Sequence, residues 1–149
     1  MEAHYYNVDV NWNEGRKGIM CSPELNLDAN NCLEVATPPE FAKGIAGIWS
    51  PEHLFTSAVS SCLMTTFLAI AENSKLEFIN FSCKAKGKLE QVEGKVMMSE
   101  ILLEPTVTIS DEKDRERAER VLQKSEAACL ISNSVKSNVI MIPTIIIGI

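Results

Sequence analysis

An uncharged stretch of 18 residues, residues 54–71, is the feature that most constrains how this chain can fold. A stretch of this length is close to what a membrane-spanning helix needs. However, six of its residues are Ser or Thr, and neither an aromatic belt nor a Lys/Arg flank marks its ends. Because the stretch is apolar on nearly all sides and rich in small residues, it predicts a helix buried at the centre of a globular domain, not a membrane span.

Ser50, Pro51 and Glu52 mark the start of this helix. A serine before a helix accepts a main-chain N–H through its hydroxyl, and proline suits the first helical position. Glu52 then places a negative charge near the positive end of the helix dipole. These residues predict a long central helix from Pro51 to about Asn73.

Short strands are predicted before the central helix. Apolar and polar residues alternate near the N-terminus, and the chain then turns at Gly15 and returns. These segments indicate a small N-terminal antiparallel meander, followed by a loop over residues 37–49 that is long enough to be functional. The predicted strand segments are residues 6–12, 19–22, 25–27 and 33–36, with turns at 13–16 and 23–24.

Two long strands follow the central helix. The first, residues 79–90, alternates apolar and polar side chains and is therefore half-buried, with Cys83 on its inner face. A turn at Glu93-Gly94 leads into the second, residues 96–109. Pro105 lies within it and favours a bulge or a sheet edge.

A second helix and a final strand complete the predicted fold. Ser110-Asp111-Glu112 caps the helix. An apolar stripe along the helix ends at Ala128 and Cys129, which places Cys129 on the core-facing side. Residues 139–149 form a strongly apolar strand. This order of strands, long helix, two strands, helix and strand predicts an α+β fold.

The composition fits a single domain over residues 1–149, since 46% of the residues are hydrophobic and 23% are charged. The net charge of −6 argues against nucleic acid and anionic membranes as partners. The N-terminus shows neither the basic nor the apolar segment of a secretory signal, so the predicted location is cytoplasmic.

Five cysteines occur, without a CxxC motif or a zinc-binding spacing. Because cytosolic thiols are kept reduced, any disulfide is expected to be transient and catalytic. Cys62 and Cys129, on separate helices, are the candidates for thiol redox chemistry. The alternative is that all five cysteines are small core residues. Cys21, Cys32 and Cys83 are interpreted as structural or surface residues.

The sequence gives no support to metal, nucleotide or hydrolase mechanisms. His53 is predicted on the first turn of the central helix, as a surface residue, and His4 lies in the N-terminal tail. GxSxG, P-loop and GxGxxG motifs do not occur in the sequence. We therefore expect no bound cofactor and no metal.

The segment Ser50-Pro51-Glu52-His53-Leu54, leading into Ser61-Cys62, resembles the OsmC/Ohr family of osmotically inducible and organic hydroperoxide resistance proteins. That family shows an Asn-Pro-Glu-x-Leu helix start and then a small residue before its first cysteine. Gly15-Arg16-Lys17-Gly18 resembles the glycine-flanked arginine of the family's first hairpin. Cys129-Leu130-Ile131-Ser132 resembles the second cysteine segment, in which Cys-Pro-Tyr-Ser is usual. The departures at Leu130 and Ile131, and Ser50 in place of Asn, indicate a divergent branch.

The resemblance implies an intertwined homodimer with two active sites at the subunit interface. It implies that Cys62 attacks a peroxide and that Cys129 resolves the resulting sulfenic acid into a disulfide. In some members a lipoylated protein then reduces that disulfide. A dithiol reductant and an organic, lipid-like hydroperoxide are therefore the expected partners.

The reactivity of Cys62 needs an explanation, because only a thiolate attacks peroxide and burial among apolar residues raises a thiol pKa. Cys62 lies too far along its helix for the dipole to help. Arg16 is the best candidate for a fixed cation, and Glu52 is expected to orient it through a two-point contact. The alternatives are a solvated hairpin arginine and a simple first-turn carboxylate.

Helix geometry adds a prediction about the assembly. Ten residues of straight helix separate Glu52 from Cys62 by about 15 Å, too far to share one site. Either the helix breaks between them, or Arg16 and Glu52 come from the other subunit. We predict the second arrangement, an active site shared across a dimer.

The expected function is that of a thiol-dependent peroxidase, an organic hydroperoxide reductase, in which Cys62 is the nucleophile, Cys129 the resolving cysteine, Arg16 the activator and Glu52 its orienting partner. Two alternatives stay open. One is a non-enzymatic binding or stress-response domain on the same scaffold, and the other is a redox sensor that oxidises once without turnover.

Overall fold

A computed structural model describes residues 1–25 and 31–148. Contacts divide the chain into two compact units, Met1–Leu54 and Phe55–Ile149. The predicted α+β composition is confirmed, whereas a single domain over residues 1–149 stays a prediction.

The first unit contains a three-stranded antiparallel sheet in the order β1-β2-β3, which confirms the predicted meander. Its first strand begins three residues later than predicted, because β2 ends at Cys21, opposite Asp9, and leaves residues 6–8 without a partner strand. The predicted segment over residues 25–27 lies outside the described residues apart from Leu25. The strands are β1 (Asp9–Glu14), β2 (Lys17–Cys21) and β3 (Leu33–Ala36).

Helix α1 (Pro51–Asn73) has the predicted bounds and is unbroken. Ser50 is fully buried and caps it, since its hydroxyl accepts the N–H of His53 at 3.2 Å. The Ser50 N–H in turn donates to His53 Nδ1 at 3.3 Å, so Ser50 and His53 form the two reciprocal hydrogen bonds of a capping box. The sequence had indicated His53 only as a surface residue; it is exposed but also contributes to this cap.

Burial of α1 follows one stripe, which corrects the expectation that it is buried on nearly all sides. Five residues form the buried stripe, whereas Met64 and Leu68 on other faces are 39% and 43% exposed. The sheet and second helix of the Phe55–Ile149 unit cover only that stripe. By length and composition α1 could cross a membrane, but core helices of soluble proteins meet the same criterion. The buried residues are Val59, Cys62, Leu63, Phe67 and Ala71.

The second unit is built on a long antiparallel hairpin, β4 (Asn80–Val92) and β5 (Lys95–Ile109). Its turn, Glu93-Gly94, has positive φ at both residues, as a two-residue hairpin requires. Burial alternates along β4 with Cys83 on the inner side, as predicted. Val59 and Leu63 of α1 pack against Ile101 and Leu103 of β5, so this hairpin supports the middle of α1.

The predicted final strand over residues 139–149 is two strands, β6 (Asn138–Met141) and β7 (Thr144–Ile147), both parallel to β5. Ile149 lies outside the described residues. Pro143 interrupts the strand, and the register places it opposite Pro105 of β5. Neither proline has an N–H to donate. The gap between β6 and β7 therefore lies where two main-chain N–H groups that could form hydrogen bonds between strands are missing.

Pro105 therefore marks neither a bulge nor an edge. It is buried in an interior strand, with β4 on one side and β6 and β7 on the other. The register shift of the hairpin occurs instead between Lys88 and Leu89.

Helix α2 (Arg115–Ala128) follows a 3₁₀ turn whose N-cap is Asp111, which accepts the N–H of Lys113 at 3.0 Å. This confirms the predicted capping segment. Ala118, Val121 and Leu122 join the core around Phe67 of α1. Ala128 is exposed, which corrects its place in the predicted stripe, because the helix ends there and the chain turns away.

Candidate active site

Two cysteines far apart in the sequence meet in the Phe55–Ile149 unit. Cys62 lies on the buried stripe of α1, and Cys129, fully buried, is the C-cap residue of α2. Each thiol is among the groups that shift the pKa of the other. The chain therefore brings together the two thiols that the sequence singled out.

Four polar groups affect the ionisation of Cys62. The Oγ1 atom of Thr66 lies 3.9 Å from its Sγ atom, and the Cys129 thiol and the main-chain groups of Ile131 and Leu130 also lower its pKa. Burial raises the pKa of the Cys62 thiol and is the largest single effect, but the donors together hold that pKa below its ordinary value. Cys62 therefore loses its proton at a lower pH than an ordinary thiol.

Cys129 shows the opposite shift. Burial raises the pKa of its thiol above the ordinary value, and the neighbouring Cys62 raises it further, while the Ser132 hydroxyl and N–H act in the lowering direction. The two thiols are therefore coupled, so that the ionisation of one depends on the state of the other.

A tight turn after α2 holds these donors in place. The N–H of Asn133 donates to the Cys129 carbonyl at 3.1 Å, and the N–H of Ser134 donates to the Ile131 carbonyl at 2.9 Å. The Ser134 hydroxyl also donates to the Leu130 carbonyl at 2.7 Å. These bonds thus fix the conformation of the segment that follows Cys129.

Sequence reasoning missed Thr66, Leu130 and Ile131 as neighbours of Cys62. Thr66 lies four residues after Cys62 on one helix, and this spacing is a signal that the two side chains meet. The main-chain donors of Leu130 and Ile131 leave no such signal, because any residue except proline carries an N–H.

Arg16 and Glu52 are brought together in the Met1–Leu54 unit. Arg16 follows Gly15 in the β1–β2 hairpin, where Gly15 adopts a φ of 53°. The main-chain carbonyl of Arg16 accepts the N–H of Thr37 at 3.1 Å. Glu52 lies in the first turn of α1. Both residues line one cavity of about 650 Å³.

The rest of this cavity wall is mainly apolar. Val10, Trp12 and Phe41 contribute to it and are 65%, 76% and 40% exposed. The cavity therefore combines a permanent positive charge with an open apolar surface, a combination suited to a partly apolar ligand that carries one polar group.

Cys21 and Cys32 form a disulfide, with Cα atoms 4.4 Å apart. A disulfide agrees with their interpretation as structural residues, but it corrects the expectation that any disulfide would be transient and catalytic, because it does not involve Cys62 or Cys129. Met20 pairs with Leu33 in the β2–β3 ladder, so the next facing positions are Cys21 and Cys32. Antiparallel pairs without mutual hydrogen bonds approach to about this distance.

Cys83, Cys62 and Cys129 are the free cysteines of the described chain. Burial on the inner side of β4 raises the pKa of the Cys83 thiol. Cys83 is therefore a poor nucleophile at neutral pH, in agreement with its interpretation as a structural residue.

Comparisons with known proteins agree with this architecture. An OsmC-like protein of unknown function from Vibrio cholerae superposes with a TM-score of 0.83 at 20% identity, covering 95% of this chain and 99% of its own. An organic hydroperoxide resistance protein from Elizabethkingia anophelis gives a TM-score of 0.74 at 20% identity, covering 99% of both chains. The uncharacterized protein YmaD of Bacillus subtilis (strain 168) is 22% identical, covering 93% of this chain and 91% of YmaD.

The sequence also matches a family as a whole. A family model described as OsmC-like protein matches residues 44–142, which span the capped start of α1, both free cysteines of the pair and the long hairpin. This match covers well over half of the chain, and the chain belongs to the OsmC-like protein family.

Proposed function

We propose that this protein is a thiol-dependent peroxidase that reduces organic hydroperoxides to alcohols. The observation that carries the proposal is the contact between Cys62 and Cys129, with the pKa of Cys62 lowered and that of Cys129 raised. Similarity of fold to proteins described as organic hydroperoxide resistance proteins supports the substrate class. Cys62 is the nucleophile and Cys129 the resolving residue.

The first step is a two-electron oxidation of Cys62. Its thiolate attacks the terminal oxygen of the hydroperoxide, an S–O bond forms and the O–O bond breaks. The alkoxide leaves and takes up a proton to become the alcohol. Cys62 is then a neutral sulfenic acid.

The second step follows from the electrostatics of the pair. Once Cys62 is no longer an anion, the charge that raised the pKa of Cys129 is gone, so Cys129 loses its proton more readily. The Cys129 thiolate attacks the Cys62 sulfur, a disulfide forms, and hydroxide leaves to become water. An external dithiol, such as a lipoylated protein, then reduces this disulfide by exchange and is itself oxidised to a disulfide.

Arg16 and Glu52 are proposed to act on Cys62 of a partner subunit in a homodimer. Because α1 is unbroken from Pro51 to Asn73, Glu52 and Cys62 of one chain lie about 15 Å apart along it. Two exposed apolar surfaces favour association, one around Trp12 and the other around Met64 and Leu68 of α1. In this arrangement the guanidinium of Arg16 neutralises charge on the reacting sulfur and oxygen atoms, and Glu52 orients it.

The apolar wall of the cavity that contains Arg16 favours an alkyl or lipid-like hydroperoxide over hydrogen peroxide. The remainder of the substrate gains binding energy by covering Trp12 and Phe41. The proposal is for a cytoplasmic protein with no bound cofactor.

A dihydrolipoamide-coupled assay with cumene hydroperoxide tests the proposal. Wild type is expected to turn over repeatedly, Cys62→Ser to lose turnover, and Cys129→Ser to react once. Cys83→Ser is the matched control and is expected to keep wild-type turnover, since Cys83 is not among the groups that shift the pKa of Cys62 or Cys129. Full turnover of Cys129→Ser with a dithiol would refute the resolving role.

A non-enzymatic binding domain is the second candidate, and the departure at Leu130 and Ile131 from the usual second cysteine segment favours it. A thiol count with one equivalent of cumene hydroperoxide separates the two candidates. The described chain has three free cysteines. A peroxidase loses two thiols rapidly and keeps Cys83, whereas a binding domain keeps all three. A redox sensor also loses two thiols but does not turn over with dihydrolipoamide.

A further inference from the structure

The Cys21–Cys32 disulfide joins two strands that form part of the wall of the cavity lined by Arg16, here called the Arg16 cavity. Cys21 is the last residue of β2 and Cys32 directly precedes β3, so the bond closes one end of the β2–β3 ladder. Two residue pairs at the other end of the same ladder line the cavity. These pairs are Lys17 with Ala36 and Gly18 with Val35.

The pairing of β3 with β2 extends over four positions, and β3 is the last strand of its sheet. In a tight hairpin, a two-residue turn fixes the register of the two strands. Here Cys21 and Cys32 are separated by 11 positions, so the connection is too long to act in this way. The disulfide therefore supplies the constraint that the connection does not.

The end of β3 is also held to the main chain of the cavity wall. The N–H of Ala36 donates to the Trp49 carbonyl at 2.9 Å, and the N–H of Thr37 donates to the Arg16 carbonyl at 3.1 Å. A slip of β3 by one residue would break this arrangement and turn the opposite side chains of β3 towards the cavity. The shape of the cavity therefore depends on the register that the disulfide holds.

The bond is not sealed in the core. Cys21 and Cys32 are both half-buried, whereas Cys129 is fully buried. Exchange with an external thiol requires that a thiolate reach one of the two sulfur atoms. The half-buried position of both cysteines allows that approach.

We propose that the Cys21–Cys32 bond is a redox-controlled link that completes the Arg16 cavity. A dithiol opens the link, because its thiolate attacks one sulfur atom and forms a mixed disulfide, which its second thiol then displaces. The dithiol is oxidised to a disulfide, and Cys21 and Cys32 are reduced and take up its two protons. A small-molecule disulfide closes the link by the reverse exchange.

The use of the cavity as a hydroperoxide site rests on the proposed function. The dithiol that reduces the disulfide of the catalytic cycle is then also a reagent that opens the link. Affinity for hydroperoxide falls when dithiol is abundant and returns when the thiols of the cell are oxidised. The link thus adjusts substrate binding to the oxidising conditions in which hydroperoxides accumulate.

The double variant Cys62→Ser/Cys129→Ser isolates the link from the catalytic pair, because it leaves Cys83 as the one free cysteine of the described chain. Cumyl alcohol, which has no O–O bond, serves as the ligand. Its affinity is measured through the fluorescence of the tryptophans, since Trp12 lines the cavity. Each titration is made before and after reduction with tris(2-carboxyethyl)phosphine, and after reoxidation with lipoamide.

Reduction is expected to weaken the binding of cumyl alcohol severalfold, and reoxidation is expected to restore it. The matched control adds Cys21→Ser and Cys32→Ser to the same double variant, and it should bind weakly with and without the phosphine. Equal affinities of the oxidised and reduced protein, or no binding in either state, would overturn the proposal.

Far-UV circular dichroism of the same samples distinguishes the link from a simple stabilising bond. The reduced protein is expected to keep the spectrum of the oxidised protein, since only the pairing of one short strand changes. Loss of binding together with loss of the folded spectrum would also overturn the proposal, because the bond would then act on stability alone.

These measurements separate the link from the peroxidase. Redox-dependent binding of cumyl alcohol, together with a wild-type protein that reduces no hydroperoxide, retains the link and refutes the peroxidase. Redox-independent binding to a protein whose wild type is an active peroxidase refutes the link alone.

Discussion

The thiol of Cys129, at the C-cap of α2, and the thiol of Cys62, in the middle of α1, shift each other's pKa. Cys129 acts to lower the pKa of Cys62, and Cys62 acts to raise that of Cys129. The two thiols are therefore expected to differ in reactivity.

Cys62 is expected to be alkylated first. Its lowered pKa means that the thiolate forms at a lower pH than for an ordinary thiol, whereas burial keeps Cys83 and Cys129 protonated to higher pH. At pH 7 limiting iodoacetamide should label mainly Cys62, and labelling of Cys83 and Cys129 should rise only as the pH increases. Preferential labelling of Cys83 at pH 7 would contradict this order.

Removal of the Cys129 thiol is expected to slow alkylation of Cys62. Cys129→Ala removes a donor to the Cys62 sulfur, so the pKa of Cys62 rises and less thiolate is present at neutral pH. Cys129→Ser retains a hydroxyl donor at the same position and should have the smaller effect. The pH at the midpoint of the alkylation profile is the quantity to compare, and an alanine profile identical to wild type would count against the contact.

Arg16→Ala is expected to lower peroxidase activity by roughly 10²-fold, as removal of one group that stabilises developing charge commonly does. The alkylation profile of Cys62 should also move to higher pH, since the proposed arrangement places the guanidinium beside the reacting sulfur. Arg16→Lys retains the charge but loses the planar fork, and an intermediate activity is expected. An unchanged alkylation profile in Arg16→Ala would show that this cation does not ionise Cys62.

The Cys21–Cys32 disulfide closes a loop of 11 residues. A cross-link of this size commonly contributes about 2–3 kcal/mol to the free energy of unfolding. Oxidised protein should show three reactive thiols in denaturant and five after reduction. Cys21→Ser should lower the urea midpoint, whereas Cys83→Ser, which leaves the cross-link intact, serves as the comparison. Five thiols in purified protein without reductant would exclude the bond.

Gly87 of β4 is expected to tolerate no side chain. A methyl group at this position would collide with Thr56 of α1 and with Met98 of β5, and the short threonine side chain has little room to move. Gly87→Ala should destabilise the protein by about 1–3 kcal/mol. Lys86→Ala, at the exposed neighbouring position, should change the free energy of unfolding much less. Urea denaturation of both variants measures the difference.

Features determined by adjacent residues were predicted well. Ser50 and Pro51 identify the start of α1, and Glu93-Gly94 identifies the β4–β5 turn, because caps and tight turns depend on the chemistry of a few consecutive residues. Contacts between distant segments were predicted poorly. The Cys21–Cys32 bond depends on the register between β2 and β3, which periodicity alone does not specify.

The sequence by itself determined the α+β order, the capped central helix and the choice of Cys62 and Cys129 as candidates for thiol chemistry. Only the tertiary structure decided that these two thiols affect each other's pKa, and that the segment after Cys129 affects the pKa of Cys62. The physical reason is that cysteine spacing and helix caps are local properties of side chains. The surroundings of a buried sulfur depend on main-chain groups that nearly every residue possesses, and folding alone brings them to it.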